Sequence, residues 1–178
     1  MKILAVYPGT FDPIHYGHMD IIRRAASLFD ELLIAVYDKP LKSLLFAPEE
    51  RLALVRETAV AMGLANARVM GYSGLTIEFC RSVGAQVMIR GLRVFSDFEH
   101  EFRMALANHR LAPEIHTVPL ITSEEHTFLS STTVREIASL GGDVSSMVPA
   151  HAQAALKRRF AELGDDGGKV VPMTSLRD

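Results

Sequence analysis

The chain of 178 residues contains a single cysteine and almost no net charge. One cysteine excludes an intramolecular disulfide framework, and a lone thiol such as Cys80 inside an apolar run is typical of a reducing compartment. The formal net charge of −2 argues against a broad electrostatic surface for duplex nucleic acid or for an anionic membrane. We therefore expect neither kind of partner, and we expect basic residues to act only locally.

The chain also has no long apolar run. No segment reaches the roughly 18 consecutive apolar residues that a membrane helix requires. The apolar start at residues 3–7 is interrupted by Pro8 and Gly9 before it attains the length of a signal peptide, so we interpret it as a first strand. These features predict a cytoplasmic protein.

Internal repeats and linker-like segments are missing as well. Since domains commonly contain about 100–200 residues, this length favours one domain, which we place at residues 1–163. Residues 164–178 are rich in Gly, Asp and Lys at their start and show no periodicity, so we expect a disordered C-terminal tail.

What the chain does have is a regular alternation of short β-rich runs with helical patterns. The runs predict five strands at residues 3–7, 32–37, 67–71, 86–90 and 115–119. The first two are apolar on both faces, as buried parallel strands are. Successive β–α units imply right-handed crossovers, so we predict an α/β fold with a single Rossmann-like, doubly wound, five-stranded parallel sheet and C-terminal helices.

Three signals mark individual helices. Pro48 followed by two glutamates predicts one helix start. Residues 133–136 (TVRE) have the form of a capping box and predict another. Residues 149–163 carry apolar side chains four positions apart and predict a C-terminal helix.

The segment after the first strand combines glycines, prolines and histidines. It reads PGTFDPIHYGH over residues 8–18 and precedes a helical pattern. In an open parallel sheet, ligands bind beyond the carboxyl ends of the strands, where this loop would lie. Gly9 and Gly17 permit close backbone approach, and His18 would occupy the first turn of a helix whose free N–H groups favour an anion. The combination predicts a phosphate site.

Two other interpretations of this loop stay open. Its prolines and glycines could simply shape a connection, with His15 and His18 as ordinary polar residues, because short motifs also match by chance. Asp12, His15 and His18 could instead bind zinc, although their three-residue spacing across Pro13 and Gly17 does not put all three on one helical face.

Further candidates for phosphate binding follow other strands. Arg90 and Arg93 come after the fourth strand, and forked guanidinium donors suit phosphate oxygens. The alternative is a solvated turn in which these arginines pair with the acids of residues 97–101. Lys42 follows the second strand and residues 130–133 (SSTT) follow the fifth, although a loop lysine alone is usually solvated and Ser and Thr also cap helices. Their shared placement at strand ends favours one polyphosphate site.

Together these residues resemble a known enzyme family. Residues 8–13 (PGTFDP) with 15–18 (HYGH) are similar to the T/HxGH nucleotidyltransferase superfamily, and the ordered set from about Lys2 to about Phe160 resembles bacterial phosphopantetheine adenylyltransferase. The set at family spacing comprises Lys42, residues 48–51, 89–93 and 97–99, Glu101, residues 128–132 and Val134. The first motif indicates only the superfamily, whereas the full set is specific to the enzyme family.

The resemblance implies an activity. It is the reversible transfer of adenylyl from ATP to 4′-phosphopantetheine, which gives dephospho-coenzyme A and pyrophosphate in coenzyme A biosynthesis. The attack would be direct and in line, without a covalent intermediate. The resemblance further implies Mg²⁺ as cofactor without side-chain metal ligands, feedback inhibition by coenzyme A, and a homohexamer built as a dimer of trimers.

The resemblance also implies site residues. Catalytic roles fall to Thr10, His18, Lys42 and Arg93, with Thr10 positioning the attacking phosphate and His18 stabilising the transition state. The acceptor would be bound by Thr10, Lys42, Thr76 and Arg90. The implied ATP-binding residues are Thr10, Phe11, His18, Gly91, Leu92, Arg93, Glu101, His126, Thr127, Phe128, Leu129, Ser130, Ser131 and Thr132.

This chemistry agrees with the residues themselves. A phosphate monoester is already a competent nucleophile at neutral pH, so no serine or cysteine attacker is needed. Two polyanions must be brought together, and positioning with electrostatic stabilisation dominates such transfers. We expect a cationic His18, with Lys42, Arg90 and Arg93, to supply the field.

The chain departs from the family's usual pattern at His100, His126 and Thr132, where tyrosine, a larger aromatic residue and serine are more common. We interpret His100, His109 and His116 as surface or satisfied histidines. Two other functions stay open: a nucleotidyltransferase that uses nicotinamide mononucleotide or a cytidylyl donor, and a nucleotide-binding module without catalysis. The order of Lys42, Thr76 and Arg90 favours phosphopantetheine.

Overall fold

Five parallel strands form the centre of the computed structural model, which describes residues 2–39 and 44–164. The strands are β1 (Leu4–Gly9), β2 (Glu31–Tyr37), β3 (Ala67–Tyr72), β4 (Val87–Leu92) and β5 (His116–Ile121). Their order is β3-β2-β1-β4-β5, and all neighbours are parallel. The predicted Rossmann-like parallel sheet is confirmed, and each predicted run overlaps an observed strand.

Six α-helices flank the sheet within the described residues. They are α1 (Tyr16–Leu28), α2 (Pro48–Met62), α3 (Thr76–Ser82), α4 (Phe95–Leu111), α5 (Ser131–Ser139) and α6 (Ala150–Leu163), with a 3₁₀ turn at Glu124–His126. The helix starting at Pro48 and the C-terminal helix are confirmed. The domain boundary at residue 163 stays a prediction. Lys42 and residues 165–178, which make up nearly all of the predicted tail, lie outside the described residues.

The start of α5 corrects one prediction. The helix does not begin at the capping box predicted for residues 133–136. Its N-cap is Ser130, whose hydroxyl accepts the backbone N–H of Thr133 at 3.0 Å. Serine caps a helix as well as threonine does, so the run of hydroxyl residues at 130–133 offers several possible helix starts. The helix begins at Ser131, two residues before the predicted capping box.

Each face of the sheet buries its own apolar layer. Ala5 and Tyr7 pack on one side with residues of α1, α2, α5 and α6, while Leu4 and Val6 pack on the other with α3. Successive side chains of a strand point to opposite faces, so a strand covered by helices on both sides is apolar throughout. The predicted burial of both faces is confirmed for β1 and β2.

The apolar residues of α4 lie at the surface. Phe98, Phe102 and Leu106 are spaced four positions apart along α4, and they are 48%, 53% and 57% exposed. We call these three residues the α4 stripe. Within the described parts of the chain, none of the helices is long and apolar enough to cross a membrane.

The order of the strands creates a switch point between β1 and β4. From β1 the chain proceeds to β2 and β3 at one edge, then returns to β4 on the other side of β1. In open parallel sheets this arrangement leaves a crevice beyond the carboxyl ends of the two strands, where ligands bind. Gly9 and Leu92 end the strands that border the crevice.

Candidate active site

A cavity of about 500 Å³ opens at this switch point. It is bordered by the ends of β1 and β4, by the first turns of α1, α3 and α5, and by one side of α4. The sequence-predicted residues that line it are Thr10, Phe11, His18, Thr76, Arg90, Gly91, Arg93, Glu101, Ser130, Ser131 and Thr132. Segments far apart in the sequence therefore meet in one cavity, as their placement at strand ends predicted.

Other predicted residues are not among those that line the cavity. They are Leu92, His126, Thr127, Phe128 and Leu129. Leu129 is fully buried, and its carbonyl accepts a hydrogen bond from Nη1 of Arg93 at 2.9 Å. Phe128 is 59% exposed. Lys42 lies outside the described residues, so its role stays a prediction.

Two arginines of the cavity are already paired with acids of α4. Arg90 donates from Nε and Nη2 to the two carboxylate oxygens of Glu101, both at 2.7 Å. Arg93 donates to the two oxygens of Asp97 at 3.0 and 3.2 Å. The sequence left phosphate binding and pairing with acids as alternatives for these arginines. In the structure both arginines are paired with acids and also line the cavity. The carboxylates orient the guanidinium groups through a two-point contact.

Arg90 stays charged in this setting. Burial lowers the pKa of its guanidinium, but the hydrogen bond and the charge of Glu101 outweigh that effect and raise the pKa above its usual value. The cation therefore persists at the wall of the cavity, where an incoming phosphate would meet it.

His15 and His18 cap the start of α1 reciprocally. The backbone N–H of His18 donates to Nδ1 of His15 at 3.3 Å, and the backbone N–H of His15 donates to Nδ1 of His18 at 3.2 Å. An Nδ1 atom that accepts a hydrogen bond carries no proton. The cationic His18 that we predicted does not fit this geometry, and His18 presents an Nε2–H donor instead. The reciprocal cap was not predicted from the sequence because histidine is an unusual capping residue.

The N-terminus of α1 offers fewer donors than we predicted. The N–H of Tyr16 donates to the carbonyl of Met147 at 2.9 Å, and that of His18 is used by His15. Part of the positive end of this helix is thus satisfied within the protein. Side-chain donors of the cavity must supply more of the attraction for an anion.

Asp12 is directed away from any metal site with the two histidines. Its carboxylate accepts the backbone N–H groups of Leu45 and Phe46, each at 2.9 Å, and it pairs with Arg135 at 3.1 Å. Arg135 also donates to the backbone carbonyl of Asp12. Within residues 2–39 and 44–164, no three His, Cys, Asp or Glu side chains are grouped so as to hold a metal ion.

A buried arginine supports the loop that carries Thr10. Arg51 of α2 is fully buried and donates to the carbonyl of Thr10 at 2.7 Å. It also donates to the carbonyls of Tyr37 at 2.6 Å, Asp38 at 3.0 Å and Phe46 at 3.2 Å. We missed this role because an arginine after Pro-Glu-Glu is typical of an exposed first helical turn.

Three tyrosines of the cavity were also missed. Tyr7, Tyr37 and Tyr72 line it, and the hydroxyl of Tyr72 lies 2.9 Å from that of Thr76. Burial raises the pKa of both Tyr7 and Tyr72, so these phenols are neutral. Tyr37 and Tyr72 are the last residues of β2 and β3, and that position is the sequence signal that could have identified them.

Comparison with known proteins identifies the family. Residues 6–137 match the family model described as cytidylyltransferase-like. The chain is 52% identical to the phosphopantetheine adenylyltransferase of Herpetosiphon aurantiacus over 157 residues, which cover 88% of this chain and 94% of that one. It is 49% identical to the phosphopantetheine adenylyltransferase of Methylococcus capsulatus, covering 92% of this chain and 100% of that one.

A solved structure supports the same fold. A Vibrio parahaemolyticus protein provisionally described as a nicotinate-nucleotide adenylyltransferase superposes with a TM-score of 0.67, at 19% identity and over 88% of this chain and 99% of that one. At that identity the likeness concerns the fold alone. The identity and coverage of the sequence relatives are decisive, and this chain belongs to the phosphopantetheine adenylyltransferase family.

Proposed function

We propose that this protein transfers an adenylyl group from ATP to the 4′-phosphate of phosphopantetheine and releases pyrophosphate. The product is dephospho-coenzyme A, and the reaction is reversible because one phosphoanhydride is exchanged for another. Membership of the family supports the substrates and the reaction. The observation that carries the proposal is the meeting of Thr10, His18, Arg90 and Arg93 in one cavity.

The arrangement of the donors suits an in-line displacement. An oxygen of the acceptor phosphate forms a bond to the α-phosphorus of ATP while the bond from that phosphorus to the pyrophosphate oxygen breaks. Negative charge gathers on the α-phosphoryl oxygens and on the departing pyrophosphate. We propose that the Nε2–H of His18 donates to the α-phosphoryl oxygens. We also propose that Arg93 and the hydroxyls of Ser130 and Ser131 bind the departing pyrophosphate.

We assign Arg90, together with Lys42 and Thr76, to the acceptor. Arg90 and Thr76 line the same cavity as His18. A guanidinium held in place by a carboxylate is preorganised to bind a second anion, which lowers the cost of bringing the two substrates together. No residue needs to form a covalent intermediate, since the phosphate monoester is itself the nucleophile.

We propose that Mg²⁺ enters with ATP rather than residing in the protein. Among the described residues, the acids that line the cavity are Asp97 and Glu101, and each is bound by an arginine. This donor set does not fit a resident magnesium site. Mg²⁺ keeps several waters and is commonly held through substrate phosphates, where it neutralises part of their charge.

We further propose a homohexamer formed as a dimer of trimers, located in the cytoplasm. The α4 stripe supports association, because contiguous exposed apolar residues mark protein interfaces. The unpaired Cys80 supports a reducing compartment. Coenzyme A shares the pantetheine arm and an adenine nucleotide with the product, so we expect it to compete for the same cavity as a feedback inhibitor.

The decisive experiment is incubation of the protein with ATP, Mg²⁺ and 4′-phosphopantetheine. We expect dephospho-coenzyme A by mass spectrometry and an equal amount of pyrophosphate by a coupled assay. Reactions that lack the acceptor, or that replace it with nicotinamide mononucleotide, should release little pyrophosphate, as should those with CTP in place of ATP. Turnover of nicotinamide mononucleotide or CTP without dephospho-coenzyme A formation would contradict the proposal.

A further inference from the structure

His15 lies against His18 and caps α1, but it has no part in the proposed reaction. Its side chain is 4% exposed, and its imidazole is stacked on that of His18 with ring centroids 3.6 Å apart and planes 25° apart. The ring of Phe11 also meets the His18 ring in an edge-on arrangement, with centroids 4.9 Å apart. The His18 imidazole thus contacts two neighbouring rings.

The hydrogen bonds of the cap add direction to this packing. The backbone N–H of His15 donates to Nδ1 of His18, which leaves the imidazole proton of His18 on Nε2. Rotation of the His18 ring would break this bond and would also disturb the stack. The ring contact and the hydrogen bond therefore favour one orientation and one tautomer.

The buried His15 imidazole is neutral. Burial, followed by the charges of Arg93 and His126, lowers its pKa to about 3, so Nδ1 stays available to accept the N–H of His18. Gly17 makes room for the ring, because a Cβ atom at residue 17 would lie 3.0 Å from Cε1 of His15. An alanine there would push against the imidazole.

We propose that His15 is a positioning residue whose stacked ring holds the His18 imidazole in one orientation, so that its Nε2–H can contact the transferring phosphoryl group. The inference rests on the proposed function for its catalytic consequence, but the restraint on His18 is a property of the protein without substrate. A helix cap alone would need only an acceptor atom at residue 15. A cap does not require the ring of His15 to stack on His18, so the stacking indicates a second role.

The test compares His15→Asn with wild type. Asparagine is among the best N-cap residues, so it preserves the cap and removes the stacked ring. We expect kcat to fall roughly 10- to 100-fold, the scale of a misplaced catalytic group, with the KM for ATP within about threefold of wild type. His116→Asn is the matched control. His116 is exposed and is the first residue of β5, so it lies at the amino-terminal ends of the strands, away from the cavity. This variant should retain wild-type kcat.

The second readout is independent of turnover. Nitrogen-15 relaxation of histidine-labelled protein should show a rigid His18 imidazole in wild type and a more mobile one in His15→Asn, although both proteins keep the backbone N–H of residue 15 as a donor to Nδ1 of His18. Gly17→Ala, which keeps both histidines but pushes against the His15 ring, should likewise make the His18 imidazole more mobile.

Unchanged mobility of the His18 imidazole in His15→Asn would overturn the proposal and leave His15 as a cap only. If wild type made no dephospho-coenzyme A, the proposed function would fail, while the relaxation measurements would still decide whether His15 restrains His18.

Discussion

Glu101 of α4 binds the guanidinium of Arg90 through both carboxylate oxygens, each at 2.7 Å, beside the cavity. The resemblance to the family placed Glu101 among residues that bind ATP. In the structure, its carboxylate orients the arginine that we assign to the acceptor phosphate. A change at Glu101 should therefore affect the acceptor more than the nucleotide.

We expect Glu101→Gln to lower kcat/KM for phosphopantetheine about tenfold, because a charge-assisted hydrogen bond contributes roughly 1.5–3 kcal/mol and glutamine keeps only one acceptor oxygen. Removing a negative charge near an anionic acceptor acts in the opposite direction. The Arg90 side chain is 33% exposed, so solvent screens these charges. We therefore expect the weaker repulsion of the acceptor phosphate to contribute less than about 1 kcal/mol. Steady-state kinetics with each substrate varied in turn measures both constants.

Glu99→Gln is the matched control for this change. Glu99 lies on the same helix, its side chain is 74% exposed, and its nearest cationic atom on Arg103 is 3.8 Å away. It should behave as wild type. A larger rise in the KM for ATP than for the acceptor in Glu101→Gln would return Glu101 to the nucleotide site.

The sheet and the meeting of the loops were predictable because they follow from local patterns. Apolar runs of strand length reveal β1 and β2, and parallel strands bring all their carboxyl ends to one edge. Residues that follow different strands, such as Thr10 and Arg90, are then neighbours without any knowledge of side-chain contacts. The motif spacing alone was enough to place them.

The contacts that orient those residues were not predictable from sequence. Whether Arg90 pairs with Glu99 or Glu101 depends on the rotation of α4 against β4, which spacing does not determine. Whether an arginine such as Arg51 is buried depends on backbone carbonyls from several loops that converge on it. Residue type gives no signal for such carbonyls.

We expect Arg51→Met to lower the free energy of unfolding by roughly 3 kcal/mol. Methionine fills much of the volume, but the carbonyls of Thr10, Tyr37 and Asp38 lose their donors, and unsatisfied buried groups cost about 1–3 kcal/mol each before relaxation. Urea denaturation followed by circular dichroism gives the difference. The same variant should lose activity, because the Thr10 loop loses its support.

Arg56→Met serves as the comparison for Arg51→Met. Arg56 lies on α2 as well, but it is exposed. Surface substitutions usually change stability by about 0.5 kcal/mol or less. Equal losses of stability in the two variants would mean that the carbonyl contacts of Arg51 contribute little.

We expect His18→Ala to reduce kcat on the order of 10²- to 10³-fold, the cost of removing one preorganised donor to the transition state. The KM for ATP should change far less, because the arginines and hydroxyl groups of the cavity stay in place. Pre-steady-state measurement of dephospho-coenzyme A formation isolates the chemical step. His109→Ala, an exposed change on α4, should leave kcat unaltered. Near-normal turnover of His18→Ala would remove His18 from the mechanism.

The buried His15 should make the fold sensitive to acid. Burial is the main cause that lowers its pKa from 6.5 to about 3 in the folded chain. Between these two values the unfolded chain binds a proton at residue 15 that the folded chain excludes. The stability that depends on neutral His15 is therefore complete above pH 6.5 and declines as the pH falls toward 3, by about 1.4 kcal/mol per pH unit.

His15→Asn removes this titration while keeping an N-cap side chain. Between about pH 7 and about pH 4.5, wild type should lose roughly 2.5 kcal/mol more unfolding free energy than the variant, as the proton linkage requires. Urea denaturation at a series of pH values provides both curves. Other acid-sensitive groups act equally in the two proteins and cancel in the difference. Parallel curves would mean that His15 accepts a proton in the folded chain as readily as in the unfolded one, and its ring would then be a poor acceptor for the His18 N–H.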